Sequence, residues 1–177
     1  PFKGIYLKDR FNRMGLSTNI YPVPNLANPF LGVHYTLTAD GKAKIGPTAI
    51  PAFWRENYKG FSRFSPKEIG QIVWYEAKLF ATNAFGFRSL AYDEVRKYQK
   101  SHFLALATAL TKGCEHSGFD EWSKPGIRAQ LLNTDTLELV QDFVVEREEN
   151  SVHILNAVSP AFTCAFPFAK WVVDTYM

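Results

Sequence analysis

An arginine, a histidine and a polar segment near the C-terminus are the residues whose types and spacing could do chemistry. Arg128 follows a Pro-Gly turn at the head of a β-prone run, and its rigid fork of donors suits bidentate capture of a carboxylate. His34 shares one face of a predicted strand with Gly32 and Thr36, where an imidazole could contact a substrate or accept a proton. The plainer interpretations are a surface arginine and a structural histidine.

The third candidate is the C-terminal segment 156–161, which reads Asn-Ala-Val-Ser-Pro-Ala. Ser159 as a cap and Pro160 at the first helical position predict a helix that runs to the C-terminus. The free N–H groups and positive dipole end of such a helix stabilise negative charge. Pro167 would then lie inside the helix and kink it, at a cost of about 3 kcal/mol. The alternative is an ordinary helix that packs on a sheet.

Other catalytic signatures are missing from the sequence. It has no Gly-x-Gly dinucleotide fingerprint, no P-loop, no Gly-x-Ser-x-Gly elbow and no His-Glu-x-x-His zinc motif. Cys114 and Cys164 are far apart, which favours a reducing compartment and gives no metal-ligand spacing. The triplet Cys114-Glu115-His116 is interpreted as a solvated loop. We therefore expect no metal site.

The composition is that of a globular protein and excludes several classes of function. Of the 177 residues, 46% are hydrophobic and 21% charged, so a core can form. A dispersed net charge of +3 does not indicate nucleic-acid binding. The most apolar stretch, 157–173, contains two prolines and a lysine, so no transmembrane segment is predicted. We expect a cytoplasmic location, with peripheral membrane contact as an alternative.

The elements that must position these groups predict an α+β fold. Two β-prone runs flank Asp40-Gly41, the strongest short hairpin signal, and the first of them spans Leu31–Leu37. A Ser-Pro-Lys-Glu start at 65–68 predicts one helix and Tyr92–Lys112 a second, which together form a helical hairpin. Further strands are expected at Gly4–Leu7, Ile127–Leu132, Leu137–Val145 and Val152–Leu155. The sheet is expected to be antiparallel or mixed.

Several blocks resemble the flavin-dependent L-2-hydroxyglutarate dehydrogenases (oxidases) of the D-amino-acid-oxidase-like superfamily. The blocks are Tyr-Pro-Val-Pro at 21–24, Gly-Val-His at 32–34, Gly-Pro-Thr-Ala at 46–49, Gly-Ile-Arg at 126–128 and the segment 156–161. The resemblance implies that Arg128 clamps the substrate carboxylate and that His34 contacts the hydroxyl side. His34 is then a candidate general base for the hydroxyl proton, with a simple hydrogen bond to the substrate as the alternative. Thr48 stands where the family has an asparagine and would contact substrate. Asn156, Ala157, Ser159, Pro160 and Ala161 would face the pyrimidine end of FAD, although Val158 replaces the family's usual proline.

The resemblance further implies an enzyme that oxidises L-2-hydroxyglutarate or a similar 2-hydroxy acid to the 2-oxo acid by hydride transfer to flavin. Electrons would pass to a quinone or another acceptor. Residues 1–125 would form the substrate-binding portion, and 126–177 would belong to the FAD-binding domain. The chain begins at Pro1 and is expected to be cut from a longer protein. Alone, it should bind FAD weakly or not at all and be inactive.

Two other functions are compatible with the sequence. One is an amine or amino-acid oxidase of the same superfamily, which would share the arginine clamp but oxidise a C–N bond. The other is a non-catalytic interaction module that uses the aromatic stretch Phe53–Phe64 as a partner surface. Arg55, Arg63 and Arg88 are candidates for a second substrate carboxylate, with solvated surface charge as the plainer fate of each.

Overall fold

The computed structural model describes residues 1–24, 28, 30–112 and 118–177, and these form nine strands and four α-helices. The Cys114-Glu115-His116 triplet lies outside the described residues. The strands are β1 (Phe2–Gly4), β2 (Leu7–Asp9), β3 (His34–Leu37), β4 (Ala43–Gly46), β5 (Ile50–Pro51), β6 (Glu121–Trp122), β7 (Gly126–Arg128), β8 (Val144–Glu148) and β9 (Ser151–Asn156). The helices are α1 (Pro66–Thr82), α2 (Phe87–Arg96), α3 (Lys100–Thr108) and α4 (Ala165–Tyr176). The predicted α+β class is confirmed.

The contacts of the chain divide it into two compact units, Pro1–Gln130 and Leu131–Met177. The first unit contains two antiparallel sheets, with strand orders β5-β1-β7 and β3-β4-β2-β6. The second unit contains the β8–β9 hairpin and α4. The run predicted as one strand at Gly4–Leu7 is divided between β1 and β2, so it joins the two sheets of the first unit.

The predicted hairpin around Asp40-Gly41 is confirmed. β3 and β4 pair from His34↔Gly46 to Leu37↔Ala43, and the N–H of Thr38 donates to the carbonyl of Lys42 at 2.8 Å. Gly41 adopts a φ of +78°, a conformation that glycine reaches without strain. The strand is shorter than the predicted Leu31–Leu37, because its regular pairing starts at His34.

The core of the first unit lies on one face of the four-stranded sheet. Val33 and Tyr35 point into it as the alternation predicts, whereas Leu31 remains 41% exposed. Apolar residues of the neighbouring strands, of α3 and of two loops complete the cluster, which contains Leu7, Leu16, Ala43, Ile45, Phe103, Ala107 and Phe119. The opposite face of the sheet carries His34 and Thr36. This arrangement frees one sheet face for polar side chains.

Helix α1 begins as predicted, with Ser65 as its N-cap and Pro66 in the first turn. The Ser65 hydroxyl accepts a hydrogen bond from the N–H of Glu68 at 3.4 Å. The reciprocal half of the predicted capping box is absent, because the Glu68 carboxylate accepts from the N–H of Arg55 at 2.8 Å. Glu68 therefore ties the preceding aromatic connection to the helix.

The prediction of one long helix over Tyr92–Lys112 is wrong, because the structure has α2 and α3 separated at residues 97–99. At the break, successive N–H groups bond three residues back and Gln99 turns extended, with ψ of 113°. The change of direction buries Lys97 beside α2 and Phe103 in the core. Tertiary burial overrides the helix propensity of this stretch.

The C-terminal helix also differs from its prediction. Helix α4 begins at Ala165, and residues 159–164 form turns. Pro167 therefore lies in the first helical turn, where an N–H has no intrahelical acceptor, and the predicted kink does not arise.

The strand predicted at Leu137–Val145 is likewise misplaced, since regular pairing runs from Val144 to Glu148. The predicted strand at Val152–Leu155 is present and extends over Ser151–Asn156.

Candidate functional site

A cavity of about 560 Å³ lies within the first unit, walled by strands of both sheets and by the loops that follow β4 and precede β7. Its volume suits a small-molecule ligand. Five lining residues are cationic (Lys3, Lys8, Lys44, Lys124 and Arg128), and the described residues of the wall include no aspartate or glutamate. The others are Phe2, Gly4, Tyr6, Phe30, Leu31, Pro47, Thr48, Ala49, Ser123, Pro125, Gly126 and Ile127. The arrangement favours an anionic ligand with an apolar body.

Arg128 lies on this wall, as the last residue of β7. Its partner in the register is Phe2 of β1, and its guanidinium carbon lies 5.7 Å from the centroid of the Phe30 ring. Surrounding protein atoms desolvate the guanidinium and lower its pKa from the ordinary value. A bound carboxylate would offset that desolvation, so the site suits the predicted role.

Thr48 also lines the cavity, but its hydroxyl is used within the protein. Its Oγ1 donates to the carbonyl of Lys3 at 3.0 Å and accepts from the N–H of Ile5 at 3.1 Å. The hydroxyl proton and one lone pair are thus engaged, which leaves one lone pair for any ligand. Thr48 holds the loop after β4 against the crossing from β1 to β2.

The same loop is fixed from behind by a buried ion pair. The Glu94 carboxylate accepts from the N–H of Ala49 at 2.7 Å through Oε2 and binds the ammonium of Lys97 through Oε1. Both side chains are nearly inaccessible to solvent. Glu94 therefore connects α2 to the wall of the cavity.

Tyr6 separates His34 from the cavity. Gly46 allows this placement, because a Cβ there would lie 2.7 Å from Cδ1 of the Tyr6 ring, and its φ is +147°. The Tyr6 ring lines the cavity. The His34 ring packs edge-on against Tyr6, with 6.4 Å between ring centroids, and stacks on Tyr21, with 4.5 Å between centroids. His34 is thus packed behind the wall, only 5% exposed, and is not among the lining residues.

The protonation state of His34 is defined by its surroundings. Nδ1 lies 2.9 Å from the carbonyl oxygen of Gly32, which can only accept, so Nδ1 carries the proton and Nε2 has the lone pair. Burial lowers the pKa of His34 from 6.5, Lys44 lowers it further, and the bond to Gly32 opposes the shift. The imidazole is therefore neutral at pH 7 and able to accept a proton at Nε2.

This shift predicts a pH dependence of stability. As the pH is lowered below 6.5, His34 becomes protonated in the unfolded chain at a higher pH than in the folded protein. The free energy of unfolding therefore decreases as the pH is lowered through this range. Urea unfolding at pH 7.5, 6.5 and 5.5 should show a steeper loss for the native chain than for His34→Gln, which cannot titrate there. Parallel pH profiles for the two proteins would contradict the assignment.

The predicted flavin-facing segment lies in the second unit, after β9. Asn156 donates from Nδ2 to the carbonyl of Asp142 at 2.7 Å, and this hydrogen bond fixes the open end of the β8–β9 hairpin. Ala157, Ser159 and Pro160 are exposed, and Ala161 is half-buried. Small exposed residues with a hydroxyl fit the polar edge of a planar ring. The prediction of a positive helix-dipole end at Ser159 is wrong, because α4 begins only at Ala165.

The three arginines predicted for a second carboxylate do not line this cavity. Arg63 pairs with Glu56 at 3.0 Å, and Arg88 donates to the carbonyls of Phe80 and Ala81, both at 2.7 Å. Arg55 lines a separate cavity of about 270 Å³ in the same unit. The lining lysines were missed by sequence reasoning. A signal existed in β2 and β4, where Lys8 and Lys44 alternate with core residues and must face the opposite side.

The described residues offer neither a metal cluster nor a membrane-spanning helix. No cluster of three or more His, Cys, Asp or Glu side chains able to hold a metal ion occurs among them. Within the same part of the chain, none of the helices has the length and apolarity needed to cross a bilayer.

Comparison with known proteins identifies relatives along nearly the whole chain. No family model matches it. A protein of Indibacter alkaliphilus, described as L-2-hydroxyglutarate dehydrogenase, is 35% identical over 98% of this chain and 43% of its own length. The mitochondrial L-2-hydroxyglutarate dehydrogenase of Bos taurus is 32% identical, and this chain covers 38% of it. For the Escherichia coli K12 enzyme of the same name, the values are 32% and 40%. The chain is therefore similar in sequence to L-2-hydroxyglutarate dehydrogenases along nearly its whole length, and it spans about two fifths of the length of these relatives.

Proposed function

We propose that this chain forms the substrate-binding part of a FAD-dependent oxidoreductase that converts L-2-hydroxyglutarate, or a similar 2-hydroxy acid, to the 2-oxo acid. The observation that carries the proposal is the cavity of the first unit, which has five cations and no carboxylate on its described wall. The names of the relatives support the same substrate class. An acidic substrate would be drawn to this wall by its charge.

Arg128 is proposed to bind the carboxylate next to the hydroxyl-bearing carbon. Its position on the wall supports this, as does the desolvation of its guanidinium. Binding through two parallel N–H donors would fix the orientation of the acid as well as its affinity. Thr48 would contribute one remaining lone pair and the position of its loop.

His34 is proposed as the acceptor of the hydroxyl proton. The neutral ring with its lone pair at Nε2 supports this role. Because Tyr6 stands between His34 and the cavity, the role requires the hydroxyl to reach Nε2 past this ring. A His34→Gln variant that keeps full activity would leave His34 only its packing role.

In the second unit, the segment from Asn156 to Ala161 is proposed to contact the polar edge of the flavin. Exposed small residues and the Ser159 hydroxyl support contact, without the helix dipole. When bound, FAD would supply the hydride acceptor, and electrons would pass onward to a quinone or another acceptor. The exposed free thiol of Cys164 supports a reducing compartment such as the cytoplasm.

The proposal is tested by dye-linked turnover in a flavin-loaded protein that contains this chain. We expect oxidation of L-2-hydroxyglutarate, with formation of the 2-oxo acid, and no oxidation of L-glutamate, which shares the carbon skeleton but carries an amine. Preference for L-glutamate would instead identify an amino-acid oxidase. A flavin-loaded protein that oxidises neither compound would exclude the proposed substrate class.

A further inference from the structure

Two lysines face each other on the polar side of the four-stranded sheet. Lys8 of β2 and Lys44 of β4 are directly opposite in the antiparallel register, and both line the cavity. Like charges at opposed positions of a strand pair are destabilising. The pair therefore destabilises the sheet unless a negative charge compensates the two ammonium groups.

The neighbouring groups neutralise this pair only in part. Glu121 of β6 is the register partner of Lys8 on its other side and interacts electrostatically with it, but the Glu121 carboxylate is also paired with the guanidinium of Arg10. The partner of Lys44 on β3 is Thr36, and its ammonium lies 4.4 Å from the centroid of the Tyr6 ring. The described wall adds further cations and no carboxylate. An incoming anion would be attracted to both lysines.

The position of the pair separates it from Arg128. Lys8 and Lys44 lie on the four-stranded sheet, whereas Arg128 lies on β7 of the three-stranded sheet, and the cavity is bounded by both. Two cationic points on different walls of one cavity fit a ligand with an anion at each end. Apolar wall residues such as Phe30 and Leu31 suit a short carbon chain between them.

We propose that Lys8 and Lys44 form a second anion subsite, which binds the distal carboxylate of a dicarboxylic 2-hydroxy acid while Arg128 binds the carboxylate beside the hydroxyl. This inference rests on the proposed function, which assigns the carboxylate beside the hydroxyl to Arg128. It assigns substrate selectivity to two lysines outside the arginine clamp. A monocarboxylic 2-hydroxy acid would lack the distal contact and bind more weakly.

The test measures direct binding of ligands to the full chain by NMR titration in the absence of flavin. The ligands are L-2-hydroxyglutarate, L-2-hydroxybutyrate, which lacks the distal carboxylate, and glutarate, which lacks the hydroxyl. We expect the native chain to bind L-2-hydroxyglutarate about tenfold more tightly than L-2-hydroxybutyrate, the effect of one charge-assisted contact. Lys44→Gln and Lys8→Gln should each remove most of this preference and leave the L-2-hydroxybutyrate Kd unchanged.

Two further variants make the result specific. Lys42→Gln is the matched control, because Lys42 is exposed near the same hairpin, pairs with Asp40 and is not among the lining residues. It should retain the preference, and Lys44→Arg should retain most of it, because the positive charge remains. Equal weakening of all three ligands in every glutamine variant would overturn the proposal. Absence of binding to the native chain would also overturn it.

The outcomes for the subsite and for the proposed function are distinguishable. If L-2-hydroxyglutarate is oxidised but Lys44→Gln does not alter selectivity, the subsite fails and the function stands. If the native chain binds glutarate as tightly as L-2-hydroxyglutarate and no hydroxy acid is oxidised, the function fails. The lysine subsite is then supported as a general dicarboxylate site, provided that Lys8→Gln and Lys44→Gln weaken glutarate binding.

Discussion

Arg128→Ala is expected to lower kcat/KM for L-2-hydroxyglutarate by about 100-fold or more in the flavin-loaded protein. The guanidinium lies on the cavity wall, partly desolvated, and its loss would remove two charge-assisted hydrogen bonds to the substrate carboxylate. The measurement is dye-linked turnover over a range of substrate concentrations. The loss should fall on both KM and kcat, because the clamp binds the acid and orients it.

Two comparisons separate the clamp from a general effect of charge. Arg128→Lys keeps the positive charge but loses the planar fork, so it should recover only a minor part of the activity. Arg96→Ala removes an exposed arginine of α2 that contacts Tyr92 and is not among the lining residues, and it should retain native kinetics. Equal activities for Arg128→Ala and Arg96→Ala would contradict the assignment of the clamp.

Glu94→Ala is expected to reduce the free energy of unfolding by about 3–5 kcal/mol. The substitution would leave the buried ammonium of Lys97 without its partner and the N–H of Ala49 without its acceptor. Both uncompensated groups cost free energy, and the charge costs more. Urea unfolding of the full chain, followed by circular dichroism, measures the change.

A double variant tests whether the cost comes from the abandoned charge. Glu94→Leu with Lys97→Met replaces both charges by apolar side chains and should recover much of the stability lost in the single variant. The N–H of Ala49 stays without its acceptor, so recovery should be incomplete. A double variant no more stable than Glu94→Ala would show that the ion pair itself, and not the unpaired lysine, accounts for the loss.

Local signals predicted the elements that depend on a few neighbouring residues. The Asp40-Gly41 hairpin and the Ser65 cap of α1 are both present, because turn geometry and capping are satisfied within a few residues. The break between α2 and α3 was not predictable in this way. It depends on the burial of Lys97 against Glu94 and of Phe103 in the core, contacts that arise only in the folded chain.

The candidate site shows the same division. The Pro-Gly turn before Arg128 permits either a clamp or a surface arginine, and the resemblance of Gly-Ile-Arg to the family motif favours the clamp; in the structure Arg128 lies on the cavity wall. The opposition of Lys8 and Lys44 is not predictable in this way, because it depends on the pairing of β2 with β4, in which these two residues are 36 positions apart in sequence. The helix expected at Ser159 failed because a cap followed by proline permits a helix but does not require one, and here turns continue to Ala165.

In the function proposed above, this chain binds a 2-hydroxy acid for oxidation by a bound flavin. The most direct test mixes the flavin-loaded protein with L-2-hydroxyglutarate in the absence of oxygen and other acceptors, and follows flavin absorbance and product together. We expect the flavin to bleach, with one 2-oxoglutarate formed per flavin reduced, and we expect this reduction to be strongly slowed in Arg128→Ala. A flavin that stays oxidised with L-2-hydroxyglutarate would contradict it.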